Sequence, residues 1–369
     1  MVKVAFIGLG RVGSLALKLF AKHFGINKVD EVLAIDVNPE RKGLADDVGA
    51  KFVLAMAMED LVSVSKDSHI AVVALPSSIA FNVVKELLKS GINVVDVSYI
   101  KEDPYSLQDI TKSNNVFYIP HAGFAPGLSN VVAGYAYEVL GELDYLRIYV
   151  GGIPIKPVPP IGYEITWSAE DLLEEYTRPV KIVLNGEVVE KDPLSKIIDV
   201  EIEGVGKFEG FFSDGLTTLI RNVKAKEMFE VTLRWPGHLG FMKVLRDLGF
   251  MSDEPLVVDY VPIKPKRFTA RILEKSLRRR TKDWAILEVK VGSKKGSYRF
   301  LAVLKGTDEY PATTLFTALI LEKTVEIALT NEIPKGVMPL ERFTKYLDTY
   351  IDRLKEYGCL VRQHLIPSN

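Results

Sequence analysis

Gly8, Gly10 and Gly13 stand in the run G-L-G-R-V-G, directly after an apolar stretch at residues 4–7. The first glycine of such a run permits a tight turn out of a strand. The second lets backbone approach a pyrophosphate, and the third lets the following helix lie close to the sheet. The helix start then offers N–H groups and the positive end of its dipole to phosphate. Asp36 follows Gly13 by 23 residues and ends a second apolar run at residues 32–35. That is the spacing of a carboxylate that accepts the adenosine ribose hydroxyls. A carboxylate there repels a 2′-phosphate, so the cofactor expected is NAD rather than NADP. Arg41, five residues on, reads as a surface residue at a helix start. The cofactor-binding set is therefore Gly8, Gly10, Arg11, Val12, Gly13 and Asp36. A glycine turn in an unrelated α/β protein is the competing reading, and strand, helix and acid in the right order weigh against it.

Three further stretches carry chemistry-bearing residues: residues 123–130 (G-F-A-P-G-L-S-N), residues 166–179 (T-W-S-A-E-D to T-R-P) and residues 232–238 (T-L-R-W-P-G-H). Each has a bland alternative. Ser168 and Asp171 fit a capping box that opens a helix, while Asp171 also has the chemistry of a base. Trp167 serves either as core or as the wall of an aliphatic substrate chain. Pro126 and Gly127 are either a plain helix entry or a helix start aimed at a cofactor. Arg234 ends a strand, where arginines are commonly at the surface. His238 follows a Pro-Gly turn and reads as a loop residue, either a proton acceptor or a turn histidine. His121 reads as a structural loop residue. No spacing of His, Cys, Asp and Glu fits metal ligation, so no metal is expected.

These residues need elements to hold them. A short continuous apolar run at residues 70–75 ends at Pro76 and reads as a central parallel strand. A helix at 80–90 and strands at 93–97 and 116–119 follow. Strands alternating with helices imply a doubly wound parallel sheet. Ligands of such sheets sit beyond the carboxyl ends of the strands. That brings Leu75, Pro76, Ser98, Tyr99 and Gly123 into the candidate site. After about residue 140 the pattern becomes strand-like runs at 145–150, 180–184, 196–202, 229–234 and 285–291, with helices at 169–176 and 242–248. This reads as an α+β substrate domain with a mostly antiparallel sheet. Helices at 313–330 and 339–357 are expected to rejoin the first domain. The division expected is 1–125 with 311–369 for a Rossmann domain, and 126–310 for the substrate domain.

With 369 residues the chain exceeds one ordinary core. A formal net charge of −1 gives no support for nucleic-acid or anionic-membrane partners. The one cysteine, Cys359, excludes a disulfide framework and fits a reducing cytoplasm. No secretory leader pattern and no apolar run of about 18 residues is present. Glutamine occurs only at 108 and 363 among abundant Lys, Glu and Arg, a bias resembling a thermophile's. A cytoplasmic homodimer is expected.

Together the glycine fingerprint and the three later stretches resemble the saccharopine dehydrogenase-like reductases, over essentially the whole chain. Within that group they are most similar to the lysine 6-dehydrogenase branch. The resemblance implies action on the amine end of lysine-derived amino acids. It implies that Arg234, with Thr232, binds a substrate carboxylate, and that Ser98 and Tyr99 lie between cofactor and substrate. Saccharopine-forming members carry an acid where this chain has Ala125, and Asp36 departs from the NADP-preferring branch. Both departures point to free lysine and NAD. The expected reaction is oxidative deamination at the ε-carbon, with His238, Asp171 or Tyr99 handling protons. A saccharopine or carboxynorspermidine type reductase, or a silent NAD-binding regulator, are the alternatives.

Overall fold

The computed structural model describes residues 2–165, 169–277 and 282–368. The chain divides into two units, Met1–Glu138 with Thr314–Tyr357, and Val139–Thr313 with Gly358–Asn369. The first begins as the fingerprint predicts. Strand β1 (Lys3–Ile7) feeds helix α1 (Arg11–His23), and β2 (Glu31–Asp36) returns beside β1 in parallel. Then come α2 (Lys42–Asp46), β3 (Lys51–Leu54), α3 (Met58–Ser65), β4 (Ile70–Val73), α4 (Ser77–Lys89), β5 (Asn93–Asp96), α5 (Gln108–Ser113), β6 (Phe117–Ile119) and α6 (Leu128–Leu140). Strand β4 is buried at every residue, as a strand covered on both faces must be. Helix α1 buries Leu15, Ala16, Leu17, Leu19 and Phe20.

The second unit opens with the long strand β7 (Leu143–Pro154), which outruns the expected 145–150 at both ends. Helix α7 (Ala169–Glu175), β8 (Val180–Leu184), β9 (Glu187–Lys191), β10 (Ile198–Ile202), β11 (Gly206–Ser213), α8 (Leu219–Asn222) and β12 (Ala225–Arg234) follow. Helix α9 (His238–Asp247), the small hairpin β13 (Leu256–Val258) and β14 (Val261–Ile263), α10 (Pro265–Leu277), β15 (Asp283–Ser293) and β16 (Gly296–Lys305) complete this stretch. The core combines Tyr149, Ile153, Leu172, Tyr176, Phe211, Val231, Leu233 and Ile286.

The returning segment starts with α11 (Ala312–Thr330), adds a two-residue strand β17 (Gly336–Val337), and ends in α12 (Leu347–Glu356) and β18 (Leu360–Pro367). Strand β17 pairs with β6, giving a parallel seven-stranded sheet ordered β17-β6-β5-β4-β1-β2-β3. Two expectations change here. The single helix at 339–357 is two 3-10 turns, Leu340–Arg342 and Thr344–Tyr346, before α12, because Phe343 leaves helical geometry at φ −95° and ψ 26°. Residues 358–369 do not stay with the first unit, since β18 pairs antiparallel with β16. The second sheet thus runs β10-β11-β12-β7-β15-β16-β18, with β8 on β12 and β9 on β8. Its pairs are antiparallel except β12 with β7. Among the described residues, no helix is long and apolar enough to cross a membrane.

Candidate active site

The glycine turn of the first unit is closed by backbone. Gly8 has φ +90°, and a Cβ there would stand 2.5 Å from the Ala74 carbonyl oxygen. A Cβ on Gly13 would lie 1.9 Å from the Gly8 oxygen, so α1 packs against the turn only because that atom is missing. Around Gly10 the space is open, with nothing within 4 Å of a Cβ position. Gly10 is the N-cap of α1, no side chain caps it, and the first turn holds no acid. Arg11 is exposed and Val12 half-buried. Asp36 accepts the Leu9 N–H at 2.6 Å on one oxygen and the Asn38 N–H at 2.8 Å on the other. Each carboxylate oxygen keeps a further lone pair for a hydroxyl donor. An open helix start and a carboxylate pinned to the same turn fit the pyrophosphate and ribose of a nicotinamide dinucleotide.

Beyond the strand ends, one buried acid that the sequence reading passed over joins three loops. Asp96, at the end of β5, accepts the Ser98 N–H at 2.8 Å and the Tyr118 hydroxyl at 3.1 Å. Its own carbonyl accepts the Ala122 N–H at 2.7 Å. Burial pushes its carboxyl up to about 6, against the lowering effect of Ser98 and Tyr118. The Ser98 hydroxyl in turn receives the Leu75 N–H at 3.2 Å. An acid inside the apolar run V-V-D-V was the signal for it. Tyr99 is 38% exposed, Leu75 half-buried and Pro76 exposed.

Residues 123–127 form a tight packed turn that leads into α6. A Cβ on Gly127 would stand 1.8 Å from the Gly123 oxygen. The Gly127 N–H donates to Asn130 at 3.1 Å, and Asn130 donates to Glu341 at 3.0 Å. Pro126 is buried and Ala125 half-buried. His121, just before this turn, has φ +54° and is 3% exposed. Among the described residues, neither of its ring nitrogens has a hydrogen-bond partner. Burial pushes the imidazole down to about 4, so it is neutral.

The second unit gathers Arg234, Tyr176, Glu175 and His238. Arg234, 2% exposed, donates from Nε to the Tyr176 hydroxyl at 3.0 Å, from Nη2 to Glu175 at 2.7 Å and from Nη1 to the Leu233 carbonyl at 3.0 Å. Its guanidinium lies over Tyr163, 4.6 Å from the ring centre, and beside Phe211 at 5.4 Å. The expected surface arginine is thus a buried hub whose carboxylate partner in this structure is Glu175. The His238 Nδ1 faces the Ile161 carbonyl at 2.9 Å, and Nε2 faces the Tyr176 hydroxyl at 2.9 Å. A carbonyl only accepts, so Nδ1 carries the hydrogen and Nε2 accepts from Tyr176. The relay runs Arg234 to Tyr176 to His238. Burial, with Arg234 nearby, pushes His238 down to about 3.

This corrects the reading of His238 as a loop residue. It is the first residue of α9, 1% exposed, with both nitrogens engaged. Asp171 is exposed on α7, and its charge reaches Glu175 four residues on. Thr232 is 7% exposed on β12. Trp167 and Ser168 lie outside the described residues. Among the described residues, no group of three or more His, Cys, Asp or Glu is placed to hold a metal ion.

Known proteins resemble this chain along nearly all of its length. Residues 4–119 match the saccharopine dehydrogenase NADP binding domain, and residues 123–359 the saccharopine dehydrogenase C-terminal domain. The NADP(+)-dependent, L-glutamate-forming saccharopine dehydrogenase of Saccharomyces cerevisiae is 23% identical over 274 residues, which are 70% of this chain and 61% of that protein. The mitochondrial alpha-aminoadipic semialdehyde synthase of Bos taurus is 24% identical over 200 residues, 51% of this chain and 21% of that protein. The matches therefore span less than two thirds of these relatives. A solved apo structure of the yeast L-Glu-forming saccharopine dehydrogenase shares the fold, with TM-score 0.79 at 17% identity, covering 99% of this chain and 100% of that one. With both halves matched in order, the chain belongs to the saccharopine dehydrogenase family.

Proposed function

We propose that this protein is an NAD-dependent amino-acid dehydrogenase that oxidatively deaminates L-lysine at its ε-carbon. Water adds to the imine left when the ε-carbon loses hydride, and the products are ammonia and 2-aminoadipate 6-semialdehyde, which cyclises. One observation carries the cofactor choice: the Asp36 carboxylate, pinned by the Leu9 and Asn38 N–H groups at the end of β2. The matching family domain and the yeast relative are named for NADP, yet a fixed carboxylate suits a ribose with free hydroxyls and repels a 2′-phosphate.

A bound nicotinamide supplies the hydride acceptor. The protein must orient the amino acid and take a proton from its ε-ammonium, whose reference pKa is near 10.4. Arg234 suits the carboxylate end, because a planar guanidinium holds a carboxylate in two parallel hydrogen bonds. Glu175 occupies that partner position now. Its side chain is 27% exposed, so a substrate carboxylate competes with it for Arg234. His238 holds Tyr176, and through it Arg234, in place. The half-buried Ala125, where the family resemblance implies an acid in saccharopine-forming members, supports the smaller substrate.

An NADH absorbance assay with L-lysine, run against lysine plus 2-oxoglutarate with reduced cofactor, tests the reading. NAD reduction with lysine alone, with ammonia released, is the expected result. Turnover confined to the reductive mixture would move the chain to the saccharopine type, the activity named for its curated relatives.

A further inference from the structure

We propose that Glu230, in the second unit, seats the terminal ammonium group of an ω-amino acid whose carboxylate end lies toward Arg234. The proposal deepens the reading above and rests on it only for the identity of the ligand. Glu230 lies on β12, where side chains alternate faces, so Glu230, Thr232 and Arg234 share one face. Ser213 stands opposite Glu230 on β11. The carboxyl group is buried, with the residue only 4% exposed. Its Oε1 accepts the Ser213 hydroxyl at 2.8 Å, while Oε2 has no partner among the described residues. Gly215 makes room for it: a Cβ there would stand 2.0 Å from either carboxyl oxygen. The Thr217 hydroxyl, two residues further along that loop, is buried and has no partner among the described residues either.

The surrounding charges identify the missing partner. Asp214 and Glu175 both act on Glu230. Asp214 is paired with Arg178 at 3.2 Å, and Glu175 with Arg234 at 2.7 Å. Lys181 on β8 and Glu190 on β9 act on Asp214, one lowering and one raising its carboxyl. Asp171 also acts on Glu175; of these carboxyl groups Asp214 and Glu175 have guanidinium partners, and no cation among these groups acts on Glu230. Burial first, then Asp214 and Glu175, push its carboxyl up to about 7 against Ser213. An anionic ligand group is repelled here. An ammonium supplies both the hydrogen-bond donor that Oε2 lacks and the balancing charge. A strand rises about 3.3 Å per residue, which puts the Cα atoms of Glu230 and Arg234 roughly 13 Å apart. Two long side chains reaching inward from that separation fit a ligand with acid and amine at opposite ends of a short alkyl chain.

Calorimetric titration of the full chain tests this without reading turnover, so it can fail while the dehydrogenase reading stands, and the reverse. The probes are 6-aminohexanoate, which has a terminal amine and a carboxylate, and L-norleucine, which lacks the terminal amine. For the native chain, 6-aminohexanoate affinity should rise about tenfold from pH 6 to pH 8. Over that range the ligand ammonium stays protonated while Glu230 must release a proton to solvent. In Glu230→Gln that pH dependence should vanish and 6-aminohexanoate affinity should fall at least ~10-fold, with norleucine unchanged. Equal losses for both ligands, or no loss for either, overturn the proposal. If the variant fails to fold, the native titration decides alone: affinity flat between pH 6 and pH 8, or no binding of 6-aminohexanoate, overturns it.

Discussion

In the first unit the groups of the candidate site are mostly backbone. Three glycines and an open helix start shape the turn, and the acid beside them is fixed by two backbone N–H groups. In the second unit the corresponding groups are side chains: a guanidinium, two tyrosines, an imidazole and carboxyl groups, nearly all removed from water. The difference teaches where specificity can be altered. A backbone cradle tolerates almost no added atom but survives changes of charge around it. A buried charge network keeps its shape under small steric changes and fails when one charge is removed, because the remaining charges lose their partners.

The sharpest test of the first half is Gly13→Val. The added carbons meet the Gly8 carbonyl, which cannot give, so about 3 kcal/mol is expected, or about 100-fold in dinucleotide affinity. Fluorescence titration with NADH reads it, and binding within threefold of the parent chain would show that the turn is softer than described. Arg234→Met probes the other half. It leaves Glu175 without its guanidinium and takes one donor from the Tyr176 hydroxyl oxygen, and about 2 kcal/mol of unfolding free energy should be lost. Denaturant melts measure this, while dinucleotide affinity should stay as it was. A stable Arg234→Met chain would mean the network serves binding alone.

A smaller effect is expected at Asp36. Asp36→Ser should weaken NAD by about tenfold and narrow the gap to NADP. Tighter binding of NADP than NAD by the parent chain would remove Asp36 from the ribose. A different effect concerns acid. His121 and His238 are neutral in the fold, near 4 and 3, against an ordinary 6.5. The unfolded chain takes up those protons first, so both imidazoles cost stability as pH falls from 6.5 toward 4. Asp96 and Glu230, raised to about 6 and 7, act in the opposite sense, adding stability as pH falls through those values. His121→Asn removes one imidazole, and Asn tolerates its positive φ. The acid-side loss should then shrink by up to about 1.4 kcal/mol per pH unit in that window. Melts at pH 4.5, 5.5 and 6.5 would expose an unchanged slope.

The contrast also decides what was legible in the sequence. The fingerprint of the first unit is written in consecutive residues, and so were β4 and the parallel sheet. In the second unit β11 and β16 escaped notice, as did α10, whose apolar positions are scattered among Arg, Lys and Glu. The hub was only half readable: Arg234 was marked, but its partner Glu175 lies 59 residues away along the chain, and no local pattern pairs them. Glu230 could have been found, since alternation along β12 puts it on the same face as the two residues that were marked. His238 was misplaced because a Pro-Gly turn suggests a loop, whereas Gly237, at φ +95°, caps a helix.

Strand β18 has a consequence for how the chain is made. The first unit needs residues 314–357, and the second takes its outermost strand from 360–367. During synthesis, then, neither unit can be completed early and set aside while the other forms. Strand β16 leaves the ribosome with one edge bare and waits more than fifty residues for its neighbour. A bare edge in a nascent chain is a template for other strands. Slowing translation after residue 305 should therefore favour aggregation more than slowing it after residue 367.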